Sequence, residues 1–157
     1  MLRFAVHCLI PVGHGVALVK TQRGFALPGG LVSEPHDSLI GALGYYLTKL
    51  GFNNFDPKSV RFNHFFDADD RQLGHRGEAM FVFEWHLSWQ TKEFWEQMET
   101  SESEKVVIKS LYDIQPDDLP HDHARIIKKL VGRTNFDTRG GDPHESPTSP
   151  PMHWLRA

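Results

Sequence analysis

Residues 27–52 constrain this chain more than any other stretch. An apolar run ends at Leu27-Pro28, and Gly29-Gly30 opens what reads as a loop. Beyond His36 the spacing turns helical. Leu39, Leu43, Tyr46, Leu47 and Leu50 share one face of a helix expected from Asp37 to Leu50. Asp37 or Ser38 can cap its start, and Gly51 can end it in the left-handed conformation. Paired glycines permit close backbone approach, and a helix start presents unpaired N–H groups that suit a phosphate. The same pattern fits a plain loop before a core helix.

The remaining periodicities supply a scaffold. Phe4 to Ile10, Val16 to Val19, Phe25 to Leu27, Val60 to Phe66 and Ala79 to Leu87 read as strands. Val106 to Ile108, with Leu111 and Tyr112, reads as another. Two further helices are expected at Thr91–Glu99 and Asp122–Val131, the latter capped by Asp122 and stopped by Gly132. Strands mixed with few helices predict an α/β (α+β) body over residues 1–132. Residues 133–157 carry prolines and glycines with few apolar groups. They predict a mostly disordered tail in which Trp154-Leu155 frays, with docking of that pair as the alternative.

A formal charge of −3 argues against a general grip on nucleic acid. No apolar run is long enough for a membrane span. The single cysteine, Cys8, excludes an internal disulfide and fits a packed core thiol in a reducing cytoplasm. His121-Asp122-His123 has the look of a metal clip, but no third and fourth ligand stand at suitable spacing. The acidic run Glu93, Glu96, Glu99, Glu102 and Glu104 reads as a solvated face or as a contact for a basic partner.

Leu-Pro-Gly-Gly, a loop, a helix and then Gly51-Phe52 resembles the box of the Nudix hydrolases. That box runs from a glycine through a glutamate, an Arg-Glu pair and a Glu-Glu pair to a closing glycine and aliphatic residue. With its first glycine on Gly30, its last falls on Gly51 without a gap. Phe66-Asp67-Ala68-Asp69-Asp70-Arg71 with His75-Arg76-Gly77 is similar to the DRDPRG loop of Nudix domains in NAD metabolism. Those domains include ADP-ribose pyrophosphatases and the Nudix part of an NAD-pathway repressor. Leu119 to Ile127 resembles the opening of their last helix. The resemblance implies a Nudix fold, a mixed β-sheet sandwiched between helices. It also implies an aromatic ring stacked on an adenine, for which Phe4, Phe65, Phe81 and the tryptophans are candidates.

The catalytic residues do not carry over. Relatives hold Mg2+ on the box glutamates, because a hard cation wants anionic oxygen. Here His36, Tyr45, Thr48 and Lys49 stand at the glutamate positions, and Gly44 stands at the arginine. The expectation is therefore a domain that binds a nucleoside-diphosphate-linked metabolite, ADP-ribose or an NAD relative, without hydrolysis and without a metal. Gly29, Gly30, His36, Lys49, Arg71 and Arg76 are its expected ligand contacts. One alternative is a pyrophosphohydrolase with a non-standard Mg2+ or acid–base site built from carboxylates outside the box. Another is a protein-interaction scaffold. A small nucleotide-like ligand is the expected partner, with no nucleic acid or membrane and with room for a homodimer.

Overall fold

The computed structural model describes residues 2–33, 36–70, 77–87, 106–132 and 151–156. Its elements in chain order are β1 (Arg3–Leu9), β2 (Pro11–Val12), β3 (Gly15–Thr21), β4 (Gly24–Ala26), β5 (Gly29–Val32) and α1 (Leu39–Lys49). They continue with β6 (Val60–Phe66), β7 (Glu78–Trp85), β8 (Val106–Ser110), α2 (His121–Val131) and α3 (Met152–Leu155). The helix expected at Thr91–Glu99 lies outside the described residues.

One mixed sheet has the order β5-β1-β7-β6, with β1 parallel to β7 and antiparallel to β5. A second sheet joins β2, β3 and β4, and β8 pairs with β3. Successive side chains of a strand point to opposite faces, so β1 feeds two cores at once. Ala5 and Leu9 join Met80, Val82, Leu27 and the α2 residues Ile126, Ile127 and Leu130. Val6, Cys8 and Ile10 join Phe83, Trp85 and the α1 residues Ala42, Leu43 and Leu47. Helices thus cover both faces of the mixed sheet. Burial pushes the Cys8 thiol well above its usual range, and nearby Glu84 pushes it the same way.

The structure corrects four expectations. Gly29-Gly30 does not open a loop: it lies in β5, paired through His7↔Gly29 and Val6↔Gly30. Glycine is a poor strand former in isolation, but here β1 supplies the ladder and α1 needs the space. Leu111-Tyr112 lies in a turn after β8 rather than in a strand. Asp122 is not the cap of its helix. Pro120 stands at that position, and the buried Asp122 carboxylate accepts from the N–H of His123 at 3.0 Å. Trp154-Leu155 does not fray. Trp154 is fully buried, and its Nε1–H donates to the Leu111 carbonyl at 2.8 Å. His153 Nε2 donates to the Ile114 carbonyl at 2.9 Å beside it. A tail judged by average composition misses how much apolar surface one indole buries.

Trp154→Ala should destabilise the protein by about 3–5 kcal/mol in urea unfolding, because it empties part of the core and strands the Leu111 carbonyl. Trp154→Phe should lose less. A thiol reagent that labels Cys8 in the denatured chain should leave it unmodified in the folded one.

Candidate functional site

Helix α1 is specified at both ends. The Ser38 hydroxyl accepts from the Gly41 N–H at 2.9 Å, which satisfies one of the unpaired donors of the first turn. At the other end Gly51 has φ +105°. The Phe52 N–H donates to the Leu47 carbonyl at 2.9 Å and the Gly51 N–H to the Thr48 carbonyl at 3.0 Å, the paired closure of a Schellman motif. The helix is therefore 11 residues, Leu39–Lys49, and none of them is a carboxylate.

Its seat on the sheet is made by Tyr46 and Gly30. The Tyr46 hydroxyl donates to the Leu31 carbonyl at 2.6 Å. A Cβ at Gly30 would stand 2.5 Å from the Cζ of Tyr46. Only glycine leaves room for the phenol over β5. Burial, and then the neighbouring Tyr45 hydroxyl, raise the pKa of Tyr46 above its ordinary value. Gly29 is equally confined, since a Cβ there would strike the Val6 carbonyl. Gly44 is tight for a different reason: a Cβ would lie 3.1 Å from the ring of Phe55. The Phe55 side chain packs against the helix at that point.

His36 joins this cluster. Its N–H donates to the Ser33 carbonyl at 2.8 Å, which fixes the turn into α1. Its ring lies 4.9 Å from that of Tyr45 and 6.1 Å from that of Tyr46, and the two tyrosines lie 5.4 Å apart. Lys49 is exposed one turn beyond Tyr45 on the same side of the helix, since residues four apart are neighbours. Gly30, His36, Tyr45, Tyr46 and Lys49 therefore form one continuous surface at the β5–α1 junction. Arg71 and Arg76 lie outside the described residues.

His7, which the sequence did not single out, and His123, read from sequence only as part of a metal clip, lie just behind that junction. His7 Nδ1 donates to the Leu27 carbonyl at 3.0 Å, and the Leu27 N–H donates to His123 Nδ1 at 3.1 Å. The two imidazoles are 4.5 Å apart. Between them they hold the peptide units that lead into Pro28-Gly29. The signal was present in the Asp122-His123-Ala124 run, but its partner is 96 residues away in sequence. Among the aromatic candidates, Trp85 is buried against Phe52 and Phe55. Phe4 is 39% exposed, stacks near Phe81 at 5.9 Å, and pairs across β5 with Val32.

Gly30→Ala should cost about 1–3 kcal/mol by overpacking, and much less in a Tyr46→Ala background. A double-mutant cycle in denaturant measures that coupling. Because folding raises the Tyr46 pKa, its contribution is whole below about pH 10 and is lost as pH rises through the folded value. Tyr46→Phe should therefore show a shallower alkaline loss of stability than the parent chain.

No family model matches the chain. No curated protein matches it either. Solved structures do. The NUDIX domain of NrtR from Shewanella oneidensis, complexed with ADP ribose, is 16% identical with a TM-score of 0.64, over 86% of this chain and 90% of that one. A bifunctional NMN adenylyltransferase/ADP ribose pyrophosphatase from Francisella tularensis, complexed with AMP and a manganese ion, is 20% identical with a TM-score of 0.60. That match covers 83% of this chain and 41% of the Francisella chain, so this chain spans about two fifths of its length. A NUDIX hydrolase from Nitrosomonas europaea is 14% identical with a TM-score of 0.51, over 84% of this chain and 74% of that one. The mixed sheet between helices is thus that of a Nudix fold.

Proposed function

We propose that this domain binds a nucleoside-diphosphate-linked metabolite of the ADP-ribose or NAD class and does not hydrolyse it. The observation that carries this reading is the donor set on α1 and the residue His36 just before it. A divalent cation such as Mg2+ is held by anionic oxygen. The four positions that would supply it carry an imidazole, a phenol, a hydroxyl and an ammonium group, at His36, Tyr45, Thr48 and Lys49. These residues do not fit the metal, and Lys49 repels it. Two like unit charges at 4 Å oppose one another by about 4 kcal/mol at an effective dielectric of 20, and a doubly charged ion fares worse.

The same residues suit an anionic ligand that is held and not cut. Lys49 offers a point charge to a phosphate, while an ammonium group cannot activate water as a metal does. The glycines Gly29-Gly30 are taken up by β1 and Tyr46 rather than by a ligand, so the donors are His36 beside Lys49, with Arg71 and Arg76 offering planar bidentate recognition. Phe4, on the α1 face of β1, offers a ring for the base. The NrtR domain with ADP ribose lends support through shared fold alone.

Calorimetric titration with ADP-ribose, with and without Mg2+, tests the reading. Binding should be unchanged by the metal, and Lys49→Glu should weaken it by about tenfold or more. Strict dependence on Mg2+, or product release by the wild-type chain, overturns it.

A further inference from the structure

The α2 face of the mixed sheet carries a recess of its own, away from the β5–α1 junction. A cleft of about 1100 Å³ lies between α2, the end of β6 and the short 3-10 turn Pro116–Asp118 that precedes α2. Such a volume is enough for a small ligand and some water. Two of its lining rings, Phe66 and Trp154, are buried. Its charged groups stand on two walls and have opposite signs.

The α2 wall holds Arg125 and Lys129, one helical turn or about 6 Å apart along the axis, and both are exposed. The Arg125 guanidinium lies over the Phe66 ring at 5.0 Å, and Lys129 Nζ donates to His64 Nδ1 at 3.1 Å. Each long side chain is thus held by a ring and not by a carboxylate, so its charge is positioned without being neutralised. His121 and Lys128 also border the cleft. The other wall holds Asp117. Its turn is braced by Pro116 and by Asp118, whose carboxylate accepts from the Gln115 N–H at 3.0 Å. Asp118 therefore turns back on its own turn, while Asp117 lines the cleft and is exposed. Among the described residues none of Arg125, Lys129 and Asp117 is in an ion pair.

We infer that this cleft binds a phosphorylated amine of about monosaccharide size. The order of charges carries the inference. Asp117 precedes α2, and Arg125 and Lys129 stand on its second and third turns. A ligand lying along the helix meets a carboxylate at one end and two cations at the other. Two cations a turn apart suit a dianion, and the guanidinium adds a planar fork that bonds phosphate oxygens in pairs. Asp117 selects an ammonium group at the opposite end and repels a second phosphate. That repulsion separates this cleft from a site for a nucleoside diphosphate. A base also finds no ring to stack on, since Arg125 covers Phe66 and Trp154 is buried. Exposed ion pairs are individually weak, so tight binding needs both ends of the ligand at once.

The test is a proton–nitrogen NMR titration of the full chain near neutral pH with glucosamine 6-phosphate, glucose 6-phosphate and glucosamine. Glucosamine 6-phosphate should bind about fivefold or more tightly than either single-ended probe, with shifts at the amides of the turn and of α2, and salt should weaken it. Asp117→Asn should erase the advantage over glucose 6-phosphate without weakening glucose 6-phosphate itself. Arg125→Gln should weaken both phosphates by about tenfold, and Lys129→Gln repeats that test should Arg125→Gln disturb the fold. Equal binding of glucose 6-phosphate to the wild-type chain overturns the inference in favour of a plain anion site. No binding of glucosamine 6-phosphate, or shifts confined to other parts of the molecule, overturns it outright. Displacement of glucosamine 6-phosphate by ADP-ribose overturns it in favour of one shared site.

Discussion

Strand β1 governs this architecture because it is buried on both sides. Its neighbours β5 and β7 hold it in opposite directions, and its side chains enter two separate cores in alternation. A slip of one residue would carry Ala5 and Leu9 into the space of Val6 and Cys8, and both helices would lose their footing. The register of this strand therefore fixes where α1 and α2 lie. It also places Gly30 opposite Val6, directly beneath Tyr46.

The β5–α1 junction is held by contacts that need no charge. Ser38 and Gly51 delimit the helix, and Ala42, Leu43 and Leu47 pack. None of these contacts needs a carboxylate. Tyr46 and Gly30 form a matched pair in which the ring fills what any side chain on β5 would occupy. The contacts that seat the helix lie on its buried face, so substitutions on its exposed face leave them in place.

Much of this was legible from residues alone. Helix α1 was, because its apolar spacing, its Ser38 cap and its Gly51 stop agree with one another. The core strands were, because aromatic and β-branched runs leave few alternatives. Strand β5 was hidden, since Gly29-Gly30 carries no strand propensity of its own and pairs only because β1 is there. The His7–Leu27–His123 arrangement was hidden as well, for it joins three distant segments through single hydrogen bonds. The docking of Trp154 depends on a carbonyl at Leu111 that no local pattern reveals. Residues such as Arg71 and Arg76 were nominated by motif, and they lie outside the described residues.

The parallel pairing of β1 with β7 has a consequence for how the chain is made. Arg3 meets Glu78, so β1 leaves the ribosome and waits for a partner synthesised some 75 residues later. At typical rates of about 5–20 residues per second, that interval lasts several seconds. In the meantime β1 has only β5 beside it, and its other flank is a bare apolar ladder open to the wrong neighbour. The nascent protein is most vulnerable to misassembly in that window, and chaperone protection would matter most before Trp85 emerges.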